Sequence, residues 1–437
     1  MSVPIRRRRF AAIALASVAV LATATACGDD SSGTAGNDGP ITLVVDVFGD
    51  QGFGYDELYK QYEADHPNIK IQERGKGLGL GDYNTRLTQQ ITAGSGAGDV
   101  VALEEGTIVQ FYAQADKFVN LADYGATDLK GNFLPWKWEQ GTTPDGKVLG
   151  LGTDVGSMAL CYRSDLFKAA GLPTDREQVG ALWATWDDFI ATGQKFAAAD
   201  KKHKFVDSAT NFYNVVLMQI AGAGTGYTYY DKSNKLVIGD NPDVKTAYDL
   251  TTKMIAASLS NNLQSFSNEW NAGFKNGTFA TIACPAWMTG VIKGQAGDAA
   301  AGKWDIAKAP GSGGNWGGSF LAVPKSSKHA KEAAELVKFL TSAKGQIEAF
   351  KKVGNLPSSP QALADSAVAD STNAYFSKAP VGKIFAAGAS ELKPVYLGPK
   401  NNGVRTAVEN SLRAVEQGKS AEEQWQAALK NGEAAGK

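Results

Sequence analysis

The chain has 437 residues, 43% of them hydrophobic, 20% charged and 10% aromatic, enough apolar material for two or three packed cores and unlike a disordered or fibrous chain. Basic and acidic side chains nearly cancel, 44 against 45, and four of the arginines, Arg6 to Arg9, lie in an N-terminal segment expected to be removed. The mildly acidic body that remains has no basic stripe to neutralise phosphates, which argues against nucleic acid as a partner.

Residues 1–26 run from the basic cluster through the apolar stretch Phe10 to Ala22 to the small residues Ala24-Thr25-Ala26, ahead of Cys27. The apolar run is too short for a membrane span, which needs about 20 residues, and suits a signal peptide. The junction resembles a bacterial lipobox, although Ala24 stands where leucine is usual. That resemblance implies lipidation of Cys27; ordinary cleavage leaving a free cysteine is the alternative. Arg7-Arg8-Arg9-Phe10 also fits a twin-arginine signal, so the export route stays open. Residues 27–40 are then a lipidated N-terminus and a tether, GDDSSGTAGNDGP after the cysteine, with a root-mean-square reach of about 20 Å. The protein is expected outside the cytoplasm, held at the outer face of the cell membrane. An exported chain meets oxidising conditions, and its other two cysteines, Cys161 and Cys284, are expected to form a disulfide.

Ile41 to Phe48 is β-rich and nearly all apolar, the pattern of a strand covered on both faces, and Gly49-Asp50-Gln51-Gly52 breaks it. Residues 55–65 have helical spacing up to Pro67, Ile69 to Glu73 alternates as a strand, Asp82 to Ala93 is a helix ending at Gly94, and Asp99 to Leu103 is a third strand. This β-α-β-α-β rhythm predicts a parallel doubly wound sheet. Further strands are expected at 148–151, 158–162 and 280–284, and helices at 186–199, 211–221, 244–257, 330–342, 404–417 and 421–431. The length favours two α/β lobes.

His66, His203 and His329 each stand alone in polar stretches, which gives poor support to a metal site or a catalytic triad. Gly418-Lys419-Ser420 lacks the first glycine and the preceding strand of a phosphate loop, and the alternating glycines 75, 77, 79 and 81 do not form a dinucleotide fingerprint. Tyr229-Tyr230 could ligate ferric iron, but reads more simply as two strands around a Lys-Ser-Asn turn. No cofactor or metal is expected. The remaining signal is tryptophan. Trp183, Trp186 and Trp425 lie on helical patterns and read as packing, whereas Trp270, Trp287, Trp304 and Trp316 follow or interrupt strands beside Gly or Pro. Aromatic plates with carboxylates and amides beside them suit a sugar, whose C–H face stacks while its hydroxyls are hydrogen-bonded.

The order of Leu43 to Asp50, Ala93 to Val101, Gly152 to Arg163, Asn271 to Ala280, Trp316 to Val323 and Lys331 to Leu340 resembles an extracellular solute-binding lipoprotein of a carbohydrate ABC transporter, in the maltose-binding-protein-like group. Among its subfamilies the chain is most similar to actinobacterial cellobiose and cello-oligosaccharide-binding proteins. The resemblance implies an α/β, two-lobed periplasmic-binding-protein-like fold of type II with three interlobe crossings, lobe one being 41–155 with 320–358 and lobe two 156–319 with 359–437. It implies hinge closure over a sugar, delivery to membrane permease subunits, and a monomeric body.

Carried over by position, Asp50, Gln51 and Glu104 would bind hydroxyls from lobe one and Asp154 from the first crossing. Asn211, Tyr213 and the stacking residue Trp287 would act from lobe two, with Trp316, Ser319 and Phe320 at the second crossing. Trp270, Asn355 and Arg405 are weaker candidates. The main enzyme alternative is a glycan-cleaving lipoprotein with Glu104 and Asp154 as acid and nucleophile. A binder of another solute, such as a peptide, iron or a polyol, is the third reading.

Overall fold

The computed structural model describes residues 39–311 and 313–437. The signal segment and Cys27 lie outside the described residues. In chain order the strands are β1 (Ile41–Asp46), β2 (Ile69–Arg74), β3 (Val100–Glu104), β4 (Leu151–Gly152), β5 (Asp154–Val155), β6 (Met158–Arg163), β7 (Lys204–Val206), β8 (Phe279–Pro285), β9 (Trp304–Ala307), β10 (Ser319–Ala322) and β11 (Leu356–Pro357).

The first lobe is built on a sheet of order β2-β1-β3-β10-β4. Its first three strands are parallel, with Ile41 opposite Ile69 and Val45 opposite Val100. The expectation of a purely parallel sheet is corrected at β10, which runs antiparallel to β3 and β4. That strand returns from the other lobe and enters at the end where β3 leaves, so Ser319 pairs with Glu104. Helices cover both faces. Helix Leu80–Ala93 lays Tyr83, Leu87 and Ile91 against the sheet and stops at Gly94, whose left-handed backbone turns the chain.

The second lobe has the mixed sheet β7-β8-β6-β9, in which β7 is parallel to β8 and β6 is antiparallel to both β8 and β9. Because strand side chains alternate, Met158, Leu160 and Tyr162 enter one core with Phe167, Phe189 and Phe205, while Ala159 and Cys161 enter another with Trp270, Phe274 and Trp304. Cys161 is joined to Cys284 by a disulfide between the adjacent strands β6 and β8. Helix Trp186–Ala199 begins at Thr185, whose hydroxyl accepts from the Asp188 N–H while the Asp188 carboxylate accepts from the Thr185 N–H. Trp183, Trp186 and Trp425 are packing residues here, all buried.

Two expected strands shrink. The one at 148–151 is only Leu151–Gly152, and the pair around Tyr229-Tyr230 is a turn closed by one bridge from Tyr230 to Leu236. Ser420, the end of the false phosphate loop, caps helix Ala421–Gly436.

Three passes of chain join the lobes side by side. β5 pairs antiparallel with β11, placing Val155 opposite Leu356 and Asp154 opposite Pro357. The Trp316 N–H donates to the Gly156 carbonyl. A Cβ on Gly156 would lie 1.9 Å from the Trp316 carbonyl oxygen, and one on Gly318 (φ +96°) would lie 2.6 Å from that of Asp154. Only glycine permits the crossings to run this close.

Candidate functional site

The carboxyl end of β3, the Trp316 crossing and the second lobe meet around one void of about 380 Å³, open mouth included. Glu104, Glu105 and Gly106 line it from the first lobe, and Trp316 and Gly317 from the crossing. The second lobe contributes Asn214, Leu217 and Met218 from helix Ala209–Ala223, then Thr228, Tyr229 and Leu397, and finally Asn401 and Arg405 from helix Asn401–Glu416. A void of about 250 Å³ within the second lobe is walled mostly by core side chains such as Trp186, Phe189 and Phe212, and touches only that lobe.

Glu104 ends β3 and caps the short helix that follows, its Oε2 accepting from the Gly106 N–H at 2.9 Å. Burial pushes its carboxyl up, against the opposing pull of the Arg405 guanidinium in the other lobe. Glu105 is buried; its Oε1 accepts from Gln140 Nε2 at 2.9 Å and its Oε2 from Asn315 Nδ2 at 2.8 Å. The Asn315 oxygen in turn accepts from the Gly156 N–H, so one amide ties the void's floor to two crossings. Burial raises the Glu105 carboxyl and the Lys137 amine opposes it.

Lys137 is wholly buried, and its Nζ lies 3.9 Å from the centre of the Phe320 ring, with no hydrogen-bond acceptor among the described residues. Burial pushes this amine down; the carboxylates of Asp154, Glu105 and Glu104 hold it up. Neither Lys137 nor Asn315 was expected from the sequence, though each is flanked by a signal, Trp136 and Trp138 for one and a run of glycines for the other.

The expected residues divide into groups. Glu104, Trp316 and Arg405 share the void. Trp287 stands beside it: its Nε1 donates to the Trp316 carbonyl at 3.0 Å, and the two rings are 5.8 Å apart. Asp154 and Ser319 are locked together, Asp154 Oδ1 accepting from the Ser319 N–H at 2.9 Å and from the Thr153 hydroxyl at 2.6 Å. Burial raises the Asp154 carboxyl, opposed by Lys137. Asp50 and Gln51 meet the other lobe at helix Met288–Ala296, where Gln295 Nε2 donates to Asp50 Oδ2 and Gln51 lies against Gly294. Asn355 is half-buried just before β11.

Asn211, Tyr213, Trp270 and Phe320 are inside the lobes. Asn211 Nδ2 and Trp270 Nε1 both donate to Asp207 Oδ2, and Tyr213 shares a 3.1 Å hydroxyl contact with Tyr229. The expected helix is the one that reaches the void, but it does so one turn later, through Asn214 and Leu217. On β10 the alternation sends Phe320 into the first core, away from Ser319. The Tyr229 and Tyr230 hydroxyls go to separate partners, Tyr213 and the Gly436 carbonyl. Among the described residues no cluster of three or more His, Cys, Asp or Glu could hold a metal.

The model of the bacterial extracellular solute-binding protein family matches residues 57–375. The arabinooligosaccharide-binding protein of Bacillus subtilis is 28% identical over 352 residues, 76% of each chain. The lactose-binding protein of Rhizobium radiobacter is 26% identical over 298 residues, 64% of this chain and 65% of its own. A crystal structure of an extracellular solute-binding protein of family 1 superposes with a TM-score of 0.80 at 38% identity, covering 91% of this chain and 100% of the other.

Proposed function

The chain belongs to the bacterial extracellular solute-binding proteins, and from that premise we propose that it captures a short neutral oligosaccharide for an ABC importer by closing two lobes over it. The observation that carries this reading is the composition of the interlobe void: two carboxylates, two carboxamides and a guanidinium beside the Trp316 indole, contributed from both lobes. A sugar supplies what that lining needs, hydroxyls that both donate and accept, and ring faces that are apolar. Two carboxylates against one guanidinium disfavour an anionic solute.

Cellobiose and cellotriose are the first candidates. The names of the relatives add arabino-oligosaccharides and lactose. The lobes, 41–155 with 320–358 and 156–319 with 359–437, would move as units about the crossings at 154–156 and 317–319. The body would be monomeric, tethered through lipidated Cys27 on the outer face of the membrane, and would hand its ligand to permease subunits. Binding without chemistry is favoured over glycan cleavage, because Asp154, the nucleophile of that alternative, is engaged by Ser319 and Thr153 and does not line the void.

Intrinsic fluorescence and thermal unfolding, titrated with cellobiose, cellotriose, maltose, xylobiose, arabinobiose, lactose and glucose, test the reading. A true ligand at 100 times its dissociation constant should add about 2.7 kcal/mol of stability. No response to any of these sugars overturns it; release of new reducing ends above a denatured control would replace it with the glycan-cleaving alternative.

A further inference from the structure

We propose that Phe266 forms an outer subsite that stacks on an additional ring of the bound glycan, so that the protein selects chains of three or more sugars over disaccharides. The inference rests on the oligosaccharide reading above and deepens it. Phe266 is the large hydrophobic side chain that stands out as exposed among the described residues, at 51%. It is not stranded alone: its ring lies 6.3 Å from that of Trp287 at 25°, a stacked arrangement, and 4.9 Å from that of Trp270. Trp287 is 5.8 Å from Trp316, which lines the void. Three aromatic rings thus lead stepwise from the void outward, the last with a face in water.

The backbone supplies a second observation. Phe266 has φ +65°, a left-handed conformation that a bulky side chain rarely adopts. Ser258 (φ +58°) and Asn262 (φ +52°) in the same loop share it. Strain of this kind holds a side chain where unconstrained chain would not leave it, and it clusters at ligand clamps. Here it keeps an apolar ring on the surface, beside Trp287 and not folded into the core that Trp270 occupies. The flat apolar face suits the C–H side of a pyranose or furanose ring and offers no hydrogen bond by which to read hydroxyl configuration. The subsite therefore reads chain length, while Glu104, Asn214, Asn401 and Arg405 read the inner rings.

The test compares wild type with Phe266→Ala and Phe266→Trp by isothermal titration, using cello-, arabino- and malto-oligosaccharides of two, three and four units. In the series that binds, Phe266→Ala should weaken the three- and four-unit sugars by roughly five- to tenfold, leave the disaccharide within about twofold, and be rescued by Phe266→Trp. Equal loss at every length, or no loss at any, overturns the subsite. Unchanged affinities with reduced uptake in cells overturn it in favour of a permease contact at Phe266. If wild type binds none of the three series, the oligosaccharide reading falls and the subsite with it; if wild type binds but the variants show no length dependence, only the subsite falls.

Discussion

Gln295 Nε2 donates a 2.5 Å hydrogen bond to Asp50 Oδ2, joining the loop after the first strand of one lobe to helix Met288–Ala296 of the other. Asp50 was expected to meet the ligand; in this structure it meets the other lobe. Under the lobe closure proposed above, removing this bond would take stability from the closed form. Asp50→Ala and Gln295→Ala should each weaken ligand binding by about two- to tenfold, as an exposed hydrogen bond allows, and the double variant should be no worse than either. Calorimetric titration checks this; a loss confined to Asp50→Ala would return that residue to the ligand.

Glu104 and Arg405 both line the void, and the Arg405 guanidinium counters the effect of burial on the Glu104 carboxyl. Glu104→Gln keeps the shape and can still cap Gly106, but forfeits charge-assisted bonds to hydroxyls. Affinity should fall by about ten- to a hundredfold with little change in the unfolding temperature of the free protein. Scanning fluorimetry with and without ligand separates the two effects.

Asp207 provides a pH signature away from the ligand. Burial lifts its carboxyl to about 6, only partly offset by the donors Trp270 and Asn211. In an unfolded chain it would titrate near 3.9. Between about pH 4 and pH 6 the folded protein therefore keeps a proton that the unfolded chain has released, and this group's contribution to stability falls as pH rises. Asp207→Asn removes that dependence, so urea unfolding should show the variant gaining on wild type by up to about 3 kcal/mol between pH 4 and pH 7. A constant difference across that range would contradict the buried, protonatable state.

The Cys161–Cys284 disulfide closes a separation of 123 residues within the second lobe. The denatured mature protein should show neither of these thiols as free without reductant. Reduction should lower stability by at most about 5 kcal/mol and should appear in the unfolding of the second lobe.

Much of the fold was legible in the sequence because it is written in local periodicity. The helix at 186–199 has its capping threonine, and the one at 82–93 has its terminal glycine. What local pattern left unplaced was set by distant partners. Asn211 and Asn214 lie on one helix stripe, and only the packing of that helix decides which turn opens on the void. Trp270 and Trp316 both sit among turn-forming residues, yet one is sealed in a core by Asp207 while the other lines the site. Lys137 gave no sign of being buried, because a lysine is sequestered only by the carboxylates and rings that folding brings to it.

By itself the sequence led to the expectation of an export-type leader and a polar tether, of a two-lobed α/β body, and of indoles and carboxylates as the groups that meet a ligand. Those properties follow from composition and from patterns spanning a few turns or strands. Only the tertiary structure decided which of those groups share a space. Ser319 pairs with Glu104, and Asn315 reaches Glu105, across more than 200 residues of chain. Such contacts are fixed by the crossing of the lobes, and no local periodicity encodes them.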